Sequence, residues 1–469
     1  MVEALRALNR FGLGARPGER GRIGDPRAWL LSQLTAGPPG LATPLPTAAE
    51  ISSTMIEIRR AGAGGTEEER ARARQQLNQL SRQEQRAALE SRLRTDRPFV
   101  ERLVAFWSNH LCVSSQGNAQ VTVLAGSYER EVIRPHVLGR FEDMVLASAR
   151  HPAMLMYLDN YLSIGPNSPA VQRGRPAQRN RRGLNENYAR ELLELHTIGV
   201  DGGYTQDDVI ELARALTGWT LTGAPGSPVQ TAMAAAGAAG PLRQPVRPEG
   251  PIEFVFVDLL HEPGVRTLLG RSYPQPGQAQ AEAMIRDLCR SPAAARFVAT
   301  KLVTHFVSDD PPASAVDRIA DVFESTGGDL RAVSAALVEL PEAWSEDSRK
   351  FRTPQDWLIA VLRALDVPGM EDGIPALLVQ LRQPLWAPPS PKGYGDTTRE
   401  WSDAASLLNR AELARSLARR PRLRTDPRVL AEVIDLPASD PTHEMLADTS
   451  IPVDERMALV LAGPAFQWR

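Results

Sequence analysis

Two cysteines, Cys112 and Cys289, are all that 469 residues contain. That is too few for a disulfide framework and suits a reducing compartment. No run of about 18 apolar residues occurs, which excludes a membrane span. The formal net charge is only −2, leaving no basic footprint of the kind nucleic-acid binding needs. Met1 to Gly14 carries Arg6 and Arg10 but no continuous hydrophobic stretch, so it does not read as a secretory signal. These absences place the chain in the cytoplasm and leave open export alongside a signal-bearing partner.

Familiar chemical motifs are missing as well. There is no G-x-S-x-G elbow, C-x-x-C pair, Walker loop or H-E-x-x-H. Gly12-Leu-Gly14-Ala-Arg-Pro-Gly18 imitates a dinucleotide loop but follows no strand, and reads as a turn after a first helix. Asp201-Gly-Gly-Tyr-Thr205-Gln-Asp207-Asp208 imitates half a calcium hand, yet Leu212 stands where its bidentate glutamate belongs. Thr205 with Asp208 reads instead as a helix cap.

What is present is helical periodicity. Thr66-Glu-Glu-Glu69 reads as a capping box opening a long, charged helix to about Leu93. Phe99 to about Cys112 is amphipathic, with Leu103, Trp107 and His110 on one stripe. Further helices are expected at Ala125–Ile133, Phe141–Arg150, Pro152–Asp159, Asn185–His196, Thr205–Trp219, Gln278–Cys289, Pro292–Val307, Ala315–Ser325, Leu330–Leu340, Pro354–Leu365 and Trp401–Leu417. Ile252-Glu-Phe-Val-Phe-Val257 and the apolar run at Val265–Leu269 predict one small β-hairpin. Gln172–Gly183 and Gly223–Gly250 are too poor in apolar residues to fold alone and read as mobile insertions. The fold class is therefore mostly α: a single large multi-helix domain over 1–420, with a helical extension over 421–469 packed on it.

The densest polar segment is Asn185-Glu186-Asn187-Tyr188-Ala-Arg190-Glu191-Leu-Leu-Glu194-Leu-His196. On a regular helix Asn187, Glu191 and Glu194 share a face. Two carboxylates so close repel unless a cation sits between them. That cation is either a divalent metal or an arginine, with Arg190, Arg134 and Arg140 available; otherwise the face is simply exposed to solvent. In the metal case Glu191 and Glu194 would be ligands, joined by His110 or His305; Glu191, Glu194 and Asn187 would then form the catalytic group. His110 and His305 both lie on apolar stripes, where a histidine serves the core or a ligand. The stretch Gln383-Pro-Leu-Trp386-Ala-Pro-Pro-Ser-Pro-Lys392-Gly-Tyr394-Gly-Asp396 is held extended by prolines and displays Trp386 and Tyr394. It reads as a connector or as the wall of a substrate cleft, with His136 and His196 as further cleft candidates.

Five stretches carry a family resemblance. They are Phe106-Trp-Ser-Asn-His110; Arg134-Pro-His136 with Gly139-Arg-Phe-Glu-Asp143; His151-Pro-Ala-Met-Leu155 with Tyr157-Leu-Asp-Asn160; Gly183 through His196; and Pro384-Leu-Trp386 through Gly393. Together they resemble a large bacterial family known only as domain of unknown function 1800, over about Leu5 to Leu417. The resemblance implies a helical fold. It also implies genes beside those of exported proteins similar to the alkaline phosphatase and sulfatase group. Two functions are thus expected from the sequence. One is a metal-assisted enzyme sited on the Asn185–His196 helix; the other is a non-catalytic assembly or maturation partner of an exported phosphatase- or sulfatase-like protein.

Overall fold

Local signals set the helix ends. The Glu67–Arg94 helix opens on the expected capping box, Thr66 Oγ1 accepting from the Glu69 amide and Glu69 returning the bond to the Thr66 amide. Ser291 caps the Pro292–Phe306 helix, whose first residue is a proline that has no amide hydrogen to leave unpaired. His151 caps Pro152–Tyr157 by accepting from the Ala153 amide. In the computed structural model, residues 2–62, 66–173, 183–229, 232–233, 250–366, 371–420, 426–434 and 440–469 are described. The expected insertions at Gln172–Gly183 and Gly223–Gly250 lie largely outside the described residues.

Helix makes up 64% of the structure, so the fold is mostly α. Among the described residues strand is confined to two small antiparallel pairs; the expected arm at Val265–Leu269 forms a small hairpin, but with the residues that follow it, as Arg266–Leu268 with Arg271–Tyr273. The Phe254–Phe256 strand does not join it; it pairs with Trp219–Leu221. The sequence pattern had extended a helix through Trp219. That helix stops at Leu216, because Gly218 takes a left-handed φ of 81° and turns the chain into the strand. Similarly, the helix expected to reach Asp159 ends at Tyr157, and Asp159 is left-handed. No helix among the described residues is long and apolar enough to cross a membrane.

The buried residues form two main cores. The first gathers Phe99, Leu103, Trp107, Phe141, Leu192, Val298 and Phe306. The second gathers Leu5 and Leu8 with Trp357, Leu362, Leu413, Met457, Leu461 and Phe466. Residues beyond 426 therefore share a core with the beginning of the chain. The closing segment also pairs with 350–352, through bonds between the Lys350 and Arg469 backbones and from the Arg352 amide to the Gln467 carbonyl. Trp386 packs against both cores. A cavity opens beside it.

Candidate functional site

The Pro98–His110 and Pro292–Phe306 helices run antiparallel: Phe106 packs on His305 with ring centroids 5.3 Å apart, and His110 on Phe297 at 6.0 Å. Phe297, Lys301 and His305 follow one another at i, i+4 and i+8, so one face of the second helix carries all three. Between these helices, the start of the Pro354–Leu365 helix and the 383–397 segment lies a cavity of about 270 Å³.

The 383–397 segment is strapped down across it. Asn109 donates from Nδ2 to the Tyr394 carbonyl and accepts at Oδ1 from the Tyr394 amide, at 2.9 and 2.8 Å. Ser114 Oγ donates to the Pro388 carbonyl, the Ser115 amide to that of Trp386, and Tyr394 Oη to that of Pro384. Gly393 is left-handed, and a Cβ there would come within 2.5 Å of the Asn109 carbonyl oxygen, so only glycine permits this approach. Trp386 and Tyr394 line this cavity.

At the cavity wall His305 Nδ1 meets Asp396 Oδ2 at 2.7 Å, while His305 Nε2 is buried with no hydrogen-bond partner. The carboxylate fixes the proton on Nδ1 and leaves the Nε2 lone pair free. Burial lowers the pKa of the ring below its usual value, and Arg469 and Arg102 add to this, outweighing the pull of Asp396. The imidazole is therefore neutral at neutral pH. Burial alone would raise the Asp396 carboxyl, but His305, Lys350 and Arg469 hold it at about 2. Lys350, fully buried, donates to the Asp396 carbonyl and binds Asp309 at 2.6 Å, securing the aspartate from behind.

The remaining charges around the cavity are mostly neutralised within the protein. Arg102 pairs with Asp356 at 2.9 Å, and Arg469 reaches the same carboxylate at 3.4 Å. Arg92 pairs with Glu129 at 3.1 Å; Glu129 in turn accepts from Trp386 Nε1 at 2.9 Å and pairs with Arg134. Glu400 caps Thr397. Lys301 differs: among the described residues its ammonium meets only the Phe297 ring, 5.3 Å from the centroid, and no carboxylate. Burial lowers it to about 8, with Lys392 adding to the effect and Cys112 and Asp396 opposing it.

Three π-helical turns border this region, a helix variant common at functional sites. Ala7–Phe11 presents the Arg10 carbonyl to Arg469 Nη1; Glu129–Ile133 supplies Glu129; Leu192–Thr197 presents the His196 carbonyl to His110 Nε2 at 3.0 Å.

The residues singled out from the sequence divide between two places. His110, His305, Trp386 and Tyr394 line the cavity. His196 lies behind His110, fully buried, and is pushed to about 3 by burial and by Lys301. His136 donates to the Val132 carbonyl, and neither it nor His196 lines the cavity. Glu191, Glu194 and Asn187 stand apart on a partly exposed face. There Arg190 bridges Glu186 and Glu194 at 3.4 and 3.5 Å and donates to Gln206 at 2.8 Å. Arg134 and Arg140 take no part: one is buried between Glu101 and Glu129, the other donates to the Gly327 carbonyl. Glu191 has no ion-pair or hydrogen-bond partner among the described residues, and burial and Glu194 raise its carboxyl. No group of three or more His, Cys, Asp or Glu side chains among the described residues is placed to hold a metal ion.

The family model described as Protein of unknown function (DUF1800) matches residues 6–468. The chain belongs to that family. The match continues about fifty residues past Leu417 and ends at the residue before Arg469, whose guanidinium reaches Asp356. No curated protein and no solved structure matches the chain.

The sequence motifs do not mark Lys301 or Asp356, and they hold Asp396 only as the end of the proline-rich stretch. For Lys301 a compositional signal existed. The chain has three lysines, Lys301, Lys350 and Lys392, among 54 basic residues. Two of them line the cavity and the third braces Asp396.

Proposed function

We propose that the protein is an enzyme that performs acid–base chemistry on a small molecule in this cavity, with His305 as the general base oriented by Asp396. The observation that carries the reading is the free, neutral Nε2 of His305 at a cavity wall, with Nδ1 held by a buried carboxylate. A hydrogen-bonding side chain buried without a partner is costly, by about 1–3 kcal/mol, and a hydrogen bond to a substrate in the cavity would recover that cost. Trp386 and Tyr394 wall the cavity, and the ion pair of Asp356 with Arg102 lies at its lining. Buried free thiols at Cys112 and Cys289 fit action in the cytoplasm.

A second reading places a divalent metal at Glu191 and Glu194. The unpartnered, half-buried Glu191 carboxylate supports it. No group of three or more His, Cys, Asp or Glu side chains among the described residues is placed to hold an ion, so the other ligands would be water or substrate. Metal analysis of purified wild type and Glu191→Gln tests this: equal metal content in the two would end it.

The acid–base reading is tested by comparing small-molecule profiles of a host lacking the chain after return of wild type, His305→Gln or Asp396→Asn. An enzyme predicts a metabolite that accumulates in the deletion, is cleared by wild type and persists with His305→Gln. A non-catalytic assembly or maturation role for an exported phosphatase- or sulfatase-like partner predicts that both variants restore the host, provided they fold.

A further inference from the structure

Lysine has been almost eliminated from this chain, and the three that remain surround one cavity. Elsewhere arginine fills the cationic roles, as with Arg97 and Arg363 donating to backbone carbonyls or Arg134 and Arg290 bridging carboxylates. Lys350 has an evident structural task, since its ammonium is fully buried on Asp309 and the Asp396 carbonyl. Lys301 has none. It meets no carboxylate, and its only described neighbour in direct interaction is the Phe297 ring. What lysine offers and arginine does not is an amine that can lose its proton and attack an electrophile.

We propose that Lys301 is a covalent anchor for a carbonyl substrate, an aldehyde or ketone, which it holds as a Schiff base in the cavity. This deepens the acid–base reading and rests on it. The neutral amine of Lys301 adds to the carbonyl carbon, forming the C–N bond while the carbonyl oxygen takes a proton to give a carbinolamine. His305, one helical turn along the same face, accepts a proton from the nitrogen and returns one to the hydroxyl, which leaves as water. From ammonium and carbonyl the products are one iminium and one water, so no oxidant or reductant is consumed.

The environment suits the step. A lysine in partly desolvated surroundings keeps a larger share of its amine neutral. The titratable and charged groups facing it are Cys112 and His110 on and after the Pro98–His110 helix, His196 behind them, and Asp396 and Lys392 on the strap. His110 and His196 are kept neutral by burial, and Cys112 is pushed up to about 12, so none of the three brings charge at neutral pH.

The full-length chain decides the matter without knowledge of its natural substrate. Wild type is incubated with acetaldehyde, and separately with pyruvate, in the presence of sodium cyanoborohydride, and the reduced adducts are quantified by peptide mass mapping. With three lysines the map is simple. Lys301 should carry about tenfold more adduct than exposed Lys392 at pH 7.5, because burial lowers its ammonium to about 8 and leaves a sizeable share of the amine neutral there. Its labelling should level off above pH of about 8. Lys301→Arg keeps the charge and should abolish labelling at that position without changing labelling of Lys392. Labelling of Lys392 as fast as Lys301 with both probes would overturn the proposal, and this comparison stands even if the variant fails to fold. An inert Lys301 alongside a host that still requires His305 would remove the Schiff base and leave the acid–base enzyme. A host indifferent to His305→Gln would remove the enzyme reading whatever Lys301 does.

Discussion

Replacing Arg134 with methionine should destabilise the protein more at pH 8 than at pH 5.5. The guanidinium is almost wholly buried and binds Glu101 at 2.6 and 3.1 Å and Glu129 at 2.9 and 3.2 Å, both carboxylates being equally buried. Glu129 keeps Arg92, Ser108 and Trp386 when Arg134 is lost, but Glu101 keeps only the Ser91 hydroxyl. Breaking a buried pair from one side costs about 3–5 kcal/mol because a charge is left behind without compensation. At ~2.1 cal/mol/K per residue, unfolding 469 residues carries an entropy near ~1 kcal/mol/K, so the melting temperature should fall by about 3–5 °C. The sign with pH follows from linkage. In wild type the Glu129 carboxyl lies below its usual value, because Arg134 and Arg92 outweigh the effect of burial. Its stabilising contribution is therefore present above the unfolded carboxylate range and is lost as pH falls through the folded value. In the variant the stripped carboxylates are raised, so the folded state binds protons first as pH falls and the penalty shrinks. Differential scanning fluorimetry at the two pH values, with Glu129→Gln and the double variant completing a cycle, measures this. A loss under about 1 °C at pH 8, or one equal at both pH values, would refute the reasoning.

Two further perturbations bear on the site. Gly393→Ala should lower stability by about 1–2 kcal/mol, since a left-handed φ disfavours any Cβ and this one would press on the Asn109 carbonyl; fluorimetry checks it, and an unchanged melting temperature would mean the strap does not need that approach. Cys112 and Cys289 should both resist Ellman's reagent at pH 8 in the native protein, because burial pushes the first up to about 12 and the second well above its usual value. Two thiols should appear on unfolding, and one rapid native equivalent would show that the cavity wall is more open than described.

The parts of the fold legible in the sequence are those governed by neighbours a few residues apart. The Thr66 box, the Ser291 cap with Pro292 and the turn after the first helix each depend on chemistry within one turn. The Phe254–Phe256 strand is legible too, but its partner at Trp219–Leu221 is not, because pairing is a non-local choice that leaves no periodicity. The same limit governs the site. His305 stood out as a histidine on an apolar stripe and Asp396 as part of a proline-rich segment, yet nothing in 91 residues of separation says that they meet. The polar density of Asn185–His196 drew notice to a face on which Arg190 neutralises Glu186 and Glu194 near solvent. That face pairs Glu186 and Glu194 within one helix and leaves Glu191 unpaired among the described residues, whereas the cavity draws its groups one or two at a time from several helices and the strap. Lysine scarcity is the exception, a whole-chain signal that needs no pairing information and marks the cavity directly.

The most direct test of the account is the protonation of His305 itself. In ¹⁵N-histidine-labelled protein, with the resonances identified by their loss in His305→Gln, the account predicts Nδ1 protonated and Nε2 unprotonated at pH 7. That state should persist as pH falls through the usual histidine range, because burial, Arg469 and Arg102 disfavour the charged ring. A His305 that carries its proton on Nε2 at pH 7, or that is already doubly protonated there, would contradict the claim that this histidine is held as a base.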